Sequence, residues 1–302
     1  MLVVLLSLQV RIIPPAKDRY LVAEPVYISW KVINDETKEV EIEAIPANWQ
    51  VVMRGEMWKE DGAPVREKGT ISVWKCHPCK SRIISLAPGE TLSYNHIQLV
   101  GVLGWGHGGL NEFPALPEGR YCYTIYYYRT ENGEIAEKVY SDTFCFRIYL
   151  PPGEREALEA YKEVYLTSRS LSMLAEHLHY LLKTYPQSFY CVKGLKKFVS
   201  YMVVAGLWIK EEERHSSEAD TLMSFLLEKI PSWKGEKRKL GIKAYIYCRA
   251  VQGWDPEKIL LSLKNAGVRK EEIEEIIGPE EYFKKAIKIM EETIQEKIKE
   301  RE

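Results

Sequence analysis

The hydrophobic period of this chain changes once, and the change falls at Pro151-Pro152-Gly153. Before that point apolar residues alternate with polar ones, the period of strands that bury one face. After it they recur every three to four residues, the period of an amphipathic helix. Consecutive prolines interrupt both kinds of element. A chain of 302 residues in two such halves is expected to form two domains, 1-150 and 151-302. Each half is long enough to bury a core of its own.

The alternation in the first half is regular. Leu6, Leu8, Val10 and Ile12 interleave with Ser7, Gln9 and Arg11, a first strand. Tyr20 to Ala23 leads to Pro25, after which Val26, Ile28, Trp30 and Val32 share one face. Asn34-Asp35 supplies a turn, and Val40, Ile42 and Ala44 resume the pattern. Val51 to Met53, Glu56 to Trp58, Ile71 to Trp74 and Arg82 to Leu86 read as further short strands. Pro88-Gly89-Glu90 turns the chain into a strand starting at Thr91. Tyr121 to Tyr128 and Thr143 to Tyr149 flank Asn132-Gly133, a type I′ hairpin signal. Seven or more short strands spaced by turns predict an antiparallel sandwich.

The second half reads as helices. Leu158, Tyr161, Val164 and Tyr165 form one stripe, and Leu171, Leu174, Leu178, Leu181 and Leu182 the next, stopped by Pro186. Ser217 with Asp220 predicts a capping box for the helix carrying Leu222, Phe225, Leu226 and Leu227. Asp255-Pro256 is an N-cap followed by a proline at the first helical position, and Gly267 a C-terminal stop. Pro279 opens a last helix with a charged tail. Glu176–Pro186 aligns without gaps to Thr221–Pro231 at an offset of 45 residues. A second helix follows each proline, with Leu195 matched to Leu240 and Ala205 to Ala250. Helix pairs at this period predict an all-α, α-solenoid-like domain.

Three segments of the first half carry a resemblance. They are Glu24 to Asn34 (EPV-x-I-x-W-x-V-x-N), Leu86 to Glu90 (L-x-PGE) and Leu116 to Tyr127 (LPEGRYCYTIYY). In this order they resemble the immunoglobulin-like β-sandwich domains of bacterial surface and periplasmic proteins, over residues 5 to 150. Such domains bind, space or cap, and the resemblance implies no reaction. In the second half, the Leu-Leu-x-x-Tyr-Pro-x-Ser step from Leu181 to Ser188 resembles tetratricopeptide-like repeats, whose standard period is shorter.

Composition removes several function classes. Lys+Arg 42 against Asp+Glu 43 leaves a net charge of -1, without the basic field that nucleic-acid binding uses. The longest apolar run, Leu2 to Leu6, is too short to span a bilayer and lacks the flanks of a signal peptide. Abundant Lys, Glu and Arg with few Asn and Gln is a thermophile's composition. Six cysteines permit disulfides, which favours an extracytoplasmic setting, the cell envelope or the outside. The cytoplasm of a thermophile is the alternative.

The candidate sites are few. Cys76-His77-Pro78-Cys79 has the spacing of a dithiol or of half a metal site, but its flanks read as strands. It is either a structural pair or a redox or metal site. Cys122 and Cys145 fall at matching heights on the two arms of the Asn132-Gly133 hairpin, a cross-strand disulfide or two packed thiols. Gly101 to Gly109 holds Trp105 and His107 in a flexible loop. Trp105 there is a carbohydrate contact or folds back on the sandwich. His177 and His179 point to different faces of one helix and cannot chelate together. Glu211 to Glu213 with Arg214 reads as a solvated helix end.

No nucleophile elbow, phosphate-binding loop or carboxylate pair is present, and no cofactor is implied. The expectation is a non-enzymatic interaction or scaffolding protein whose partner is another protein or a second copy. The competing expectations are a thiol or metal protein using Cys76 and Cys79, and a carbohydrate-binding module using the Trp105 loop.

Overall fold

Alternation does what it predicts on the third strand. The computed structural model describes residues 7–44, 55–63, 65, 82–100, 115–132, 134–167, 170–206, 209, 211–279, 281 and 285. The chain divides into two units, Met1–Pro151 and Pro152–Glu302, strands in the first and helices in the second. In β3 (Val26–Asn34), Val26, Ile28, Trp30 and Val32 are each at most 1% exposed, while the residues between them are not buried. Burial of side chains this large stabilises by about 1.5–3 kcal/mol each.

β3 is the centre of a three-stranded antiparallel sheet, between β1 (Leu8–Ile13) and β7 (Thr91–Val100). The second sheet is organised by the long β8 (Gly119–Glu131). One edge of β8 pairs with β9 (Glu134–Tyr140) and then with β10 (Phe144–Tyr149). Its other edge pairs with β5 (Gly55–Lys59) and β4 (Val40–Ala44), and β4 pairs in turn with β6 (Arg82–Leu86). The short β2 (Arg19–Leu21) lies parallel to β10. The inward faces meet where the Trp30 indole donates to the Tyr127 hydroxyl of β8 at 3.1 Å, with Trp30 stacked on Tyr94 of β7.

The hairpin differs from the sequence expectation in its return arm. Asn132 has the positive φ of 55° that its turn requires. The chain returns first as β9, however, and reaches β10 only after a break at Ser141. Ser141 bridges the break. Its backbone N–H donates to the Ile125 carbonyl at 2.8 Å, and its hydroxyl accepts the Ile125 N–H at 3.0 Å. Gly133, the strands expected at Val51 to Met53 and Ile71 to Trp74, and Leu2 to Leu6 lie outside the described residues.

Asn34 ends β3 and is fully buried. Its side-chain amide donates to the carbonyls of Lys38 (2.9 Å) and Leu86 (2.8 Å), and its side-chain oxygen accepts the Glu36 N–H (2.9 Å). Its backbone N–H donates to the Glu90 carbonyl at 3.0 Å, and its own carbonyl accepts the Gly89 N–H at 2.7 Å. Two links that cross between the sheets, β3 to β4 and β6 to β7, are thereby fastened at one residue. Gly89 turns with φ 76°, which a residue with a Cβ rarely adopts.

In the second unit, α1 (Arg155–Leu166) packs on α2 (Leu171–Thr184) and α3 (Phe189–Ala205). After the short α4 (Glu211–Arg214) come α5 (Ser217–Lys229), a 3₁₀ turn at Ile230–Ser232, and α6 (Gly235–Val251). α5 packs on α2 and α6 on α3, so equivalent helices of the two pairs lie side by side. α7 (Pro256–Asn265) and α8 (Lys270–Ile277) pack on α6. Leu174, Leu178 and Leu181 of α2 and Ala219, Met223 and Leu226 of α5 are all completely buried, at the offset of 45.

Three helical details correct the sequence expectations. Ser216, not Ser217, caps α5, accepting the Ala219 N–H at 3.3 Å. Asp220 is thereby free to accept from Arg249 and Gln252, in a network that Gln252 extends to the Arg214 carbonyl. Arg214 is not a solvated helix end. It is buried, and its Nε donates to the Ile209 carbonyl at 2.9 Å. The second helices match at 47 residues rather than 45. Gly194, Leu195 and Phe198 correspond in burial to Gly241, Ile242 and Tyr245. Both glycines allow close approach: a Cβ on Gly194 would sit 2.9 Å from Leu178 and Leu181, and one on Gly241 2.8 Å from Trp233. The Asp255 cap holds as expected, accepting from Glu257 and Lys258, and Gly267 follows α7 with φ 76°.

Replacing Asn34 with Ala removes the partner of the buried Leu86 carbonyl and of the half-buried Lys38 carbonyl and Glu36 N–H. It is expected to lower the stability of the first unit by roughly 3 kcal/mol in urea unfolding. Glu272 accepts from the Arg238 guanidinium at 2.8 and 3.1 Å and from the Arg269 N–H at 3.1 Å. These bonds hold its carboxyl down to about 2, the Arg238 contact contributing most. Its contribution is therefore complete above the ordinary carboxylate value near 4.3 and is lost as pH falls towards 2. Glu272→Gln is expected to unfold more easily than the unaltered protein at pH 7, and the gap in urea midpoint should close at pH 2.

Candidate functional site

Two proline stops, Pro186 and Pro231, end the first helix of each pair. Because α2 and α5 lie side by side, their C-terminal halves and the two following links enclose a groove of about 1040 Å³. Helix α2 contributes Leu182 beneath it, 1% exposed, with His179 and Lys183. Helix α5 contributes Ser224, Phe225, Glu228 and Lys229, and the second link contributes Trp233 and Lys234.

The aromatic side chains are held in place by their neighbours. Phe225 meets His179 edge-on at 4.9 Å between ring centroids, and Trp233 at 6.5 Å. Lys237 of α6 lies 4.6 Å from the Trp233 ring and donates to the Pro186 carbonyl, which ties the second link to the first. Burial depresses the Lys237 ammonium below its ordinary value. His179 is also depressed, by burial first and then by Lys183. Glu228 is paired with Lys229 at 2.6 Å. Aromatic area beside a cationic rim can take an apolar side chain together with carboxylates.

Of the residues singled out in the sequence, Cys122 and Cys145 are opposed in register on β8 and β10 and form a disulfide, S–S 2.00 Å. Cys191 and Cys248 are buried free thiols, and burial pushes both up, to about 11 and about 12. A thiol so raised is a poor nucleophile. Cys76, His77, Cys79, Trp105 and His107 lie outside the described residues. Among the described residues no group of three or more His, Cys, Asp or Glu could hold a metal ion, and no helix is long and apolar enough to cross a membrane. Sequence reasoning missed the groove. His179 was legible only as one half of a histidine pair unable to chelate, and Trp233 follows Pro231 in a segment with no motif. The one signal available was that the 45-residue offset brings the two proline links to the same end of neighbouring helices.

No family model matches the sequence, and no curated protein matches it. A crystal structure of native alpha-2-macroglobulin from Escherichia coli, from domain MG7 to the C-terminus, is similar at TM-score 0.25 and 9% identity over 96% of this chain. A cryo-EM reconstruction of the native conformation of the same protein is similar at TM-score 0.26 and 9% identity over 97% of this chain. The chain spans 55% and 22% of those two chains, and neither likeness bears on what it does.

Because His179 is depressed, the unfolded chain takes up its proton first, and stability falls as pH drops below about 6.5. His179→Gln is expected to lose less stability than the unaltered protein between pH 7.5 and pH 5.5, read as the change in urea midpoint.

Proposed function

We propose that this chain is a non-enzymatic protein-interaction or scaffolding protein, an immunoglobulin-like sandwich followed by a tetratricopeptide-like helical domain. The observation that carries the reading is the groove between α2 and α5, with Phe225 and Trp233 on its wall. Grooves with a rigid aromatic wall between stacked helix pairs accept a partner's segment, and aromatic anchors contribute most of the energy at such contacts.

Two further features support the fold part. The Tyr121 hydroxyl donates to the Pro117 carbonyl four residues upstream at 2.8 Å, the bond of a tyrosine corner. The strands also divide as such sandwiches divide them, β1, β3 and β7 in one sheet, and β4, β6, β8 and the β9–β10 arm in the other. The Cys122–Cys145 disulfide fits an envelope or surface location, and the Lys- and Glu-rich composition a thermophile.

The test is peptide display. A random library is panned on the full chain and counter-selected on Ser224→Trp, an exposed substitution that fills the groove. Clones that bind the unaltered protein and lose the variant are the expected result. A library yielding only clones indifferent to Ser224→Trp overturns the reading.

A further inference from the structure

The lysines of the groove are not all where helix stability would put them. Lys183 and Lys229 occupy the last turns of α2 and α5, where a cation meets the partial negative charge of a helix end. Lys234 and Lys237 occupy the opposite kind of end. Lys234 is the N-cap residue of α6 and makes no side-chain cap, and Lys237 lies in the first turn. An ammonium there opposes the helix dipole, and it has no lone pair with which to accept a backbone N–H. Both side chains line the groove instead.

Charge in the groove is correspondingly one-sided. Among its described lining residues Glu228 is the one carboxylate, and Lys229 already neutralises it. Lys183 and Lys234 are exposed and form no ion pair among the described residues. The chain as a whole carries -1, so the positive excess is local.

We infer that the groove takes an acidic segment of a partner protein, a run of Asp and Glu bearing one large apolar side chain. The apolar group lies against Phe225 and Trp233, and the flanking carboxylates reach Lys183 and Lys234 on the rim. This rests on the helical domain being an interaction module and adds the chemistry of its partner. A nucleic-acid strand matches less well, because it requires cations tracking its backbone over several nucleotides, whereas these ring one groove.

Fluorescence anisotropy on the full chain tests this with three labelled probes. One is a decapeptide of alternating Glu and Asp around a central Leu-Trp. The second is the same peptide with Gln and Asn for the acids, and the third is a thymidylate dodecamer. The acidic peptide is expected to bind about tenfold or more tightly than its amide counterpart. Its binding should weaken with added salt, and by about tenfold in the double variant Lys183→Glu, Lys234→Glu. Both substitutions are at exposed positions, and an unchanged melting curve verifies folding. Equal binding of the two peptides, both lost in Ser224→Trp, overturns the acidic partner and leaves the groove an interaction site. Tighter binding of the thymidylate overturns it in favour of nucleic acid. If no peptide binds although display yields groove-dependent clones, only the acidic chemistry falls. If display yields none either, the interaction reading falls with it.

Discussion

The strand domain depends on one buried amide. A two-sheet fold must pass the chain from one sheet to the other, and every passage leaves backbone groups out of the ladders. At Asn34 two such passages meet, and a single side chain with its own backbone satisfies donors and acceptors from both. Hydrophobic burial around Trp30 supplies most of the drive to collapse, but burial is not directional. The amide fixes which link lies beside which, because its donors and acceptor have fixed positions.

The helical domain solves a different problem. Neighbouring helices bury matching positions, with small residues where backbones must come close. Gly194 lets α3 settle onto α2 between Leu178 and Leu181, and Gly241 does the same for α6 against the 3₁₀ turn. The polar network around Arg249 sits where strict repetition fails. Met202, its counterpart by burial, is an ordinary core residue. Arg249 instead reaches Asp220 and Gln252 and lies 4.0 Å from the Trp254 ring. Removing the half-exposed Asp220 would leave the buried Arg249 cation without its carboxylate.

Much of this was legible in the residues, and unevenly so. Periodicity located β3, α1 and α2, because burial follows directly from which face a residue occupies. The junction at Pro151-Pro152 was legible because both periods stop there. The motif ending at Asn34 and the Leu86 to Glu90 segment were visible separately, but their contact spans 52 residues and no local pattern encodes it. The buried Arg214 was hidden differently: a charge run looks solvated, although its Nε bonds the nearby Ile209 carbonyl and its own carbonyl is met by Gln252, 38 residues further on. The groove was least legible, since it is made of helix ends and links whose residues are individually unremarkable.

The choice of asparagine for the buried tie has a chemical consequence in a chain otherwise poor in amides. An asparagine side chain ages when the following backbone nitrogen, here that of Asp35, attacks its amide carbon and expels ammonia, and water then opens the resulting succinimide to an acid. In the folded domain the Asn34 amide is engaged by two carbonyls and shut away from water, so the reaction is suppressed. Once the domain opens, that protection goes. An acid at this position would turn oxygen towards the carbonyls of Lys38 and Leu86, and the links could no longer be fastened. Time spent unfolded at high temperature is therefore recorded in the chain itself, as a growing fraction that does not return.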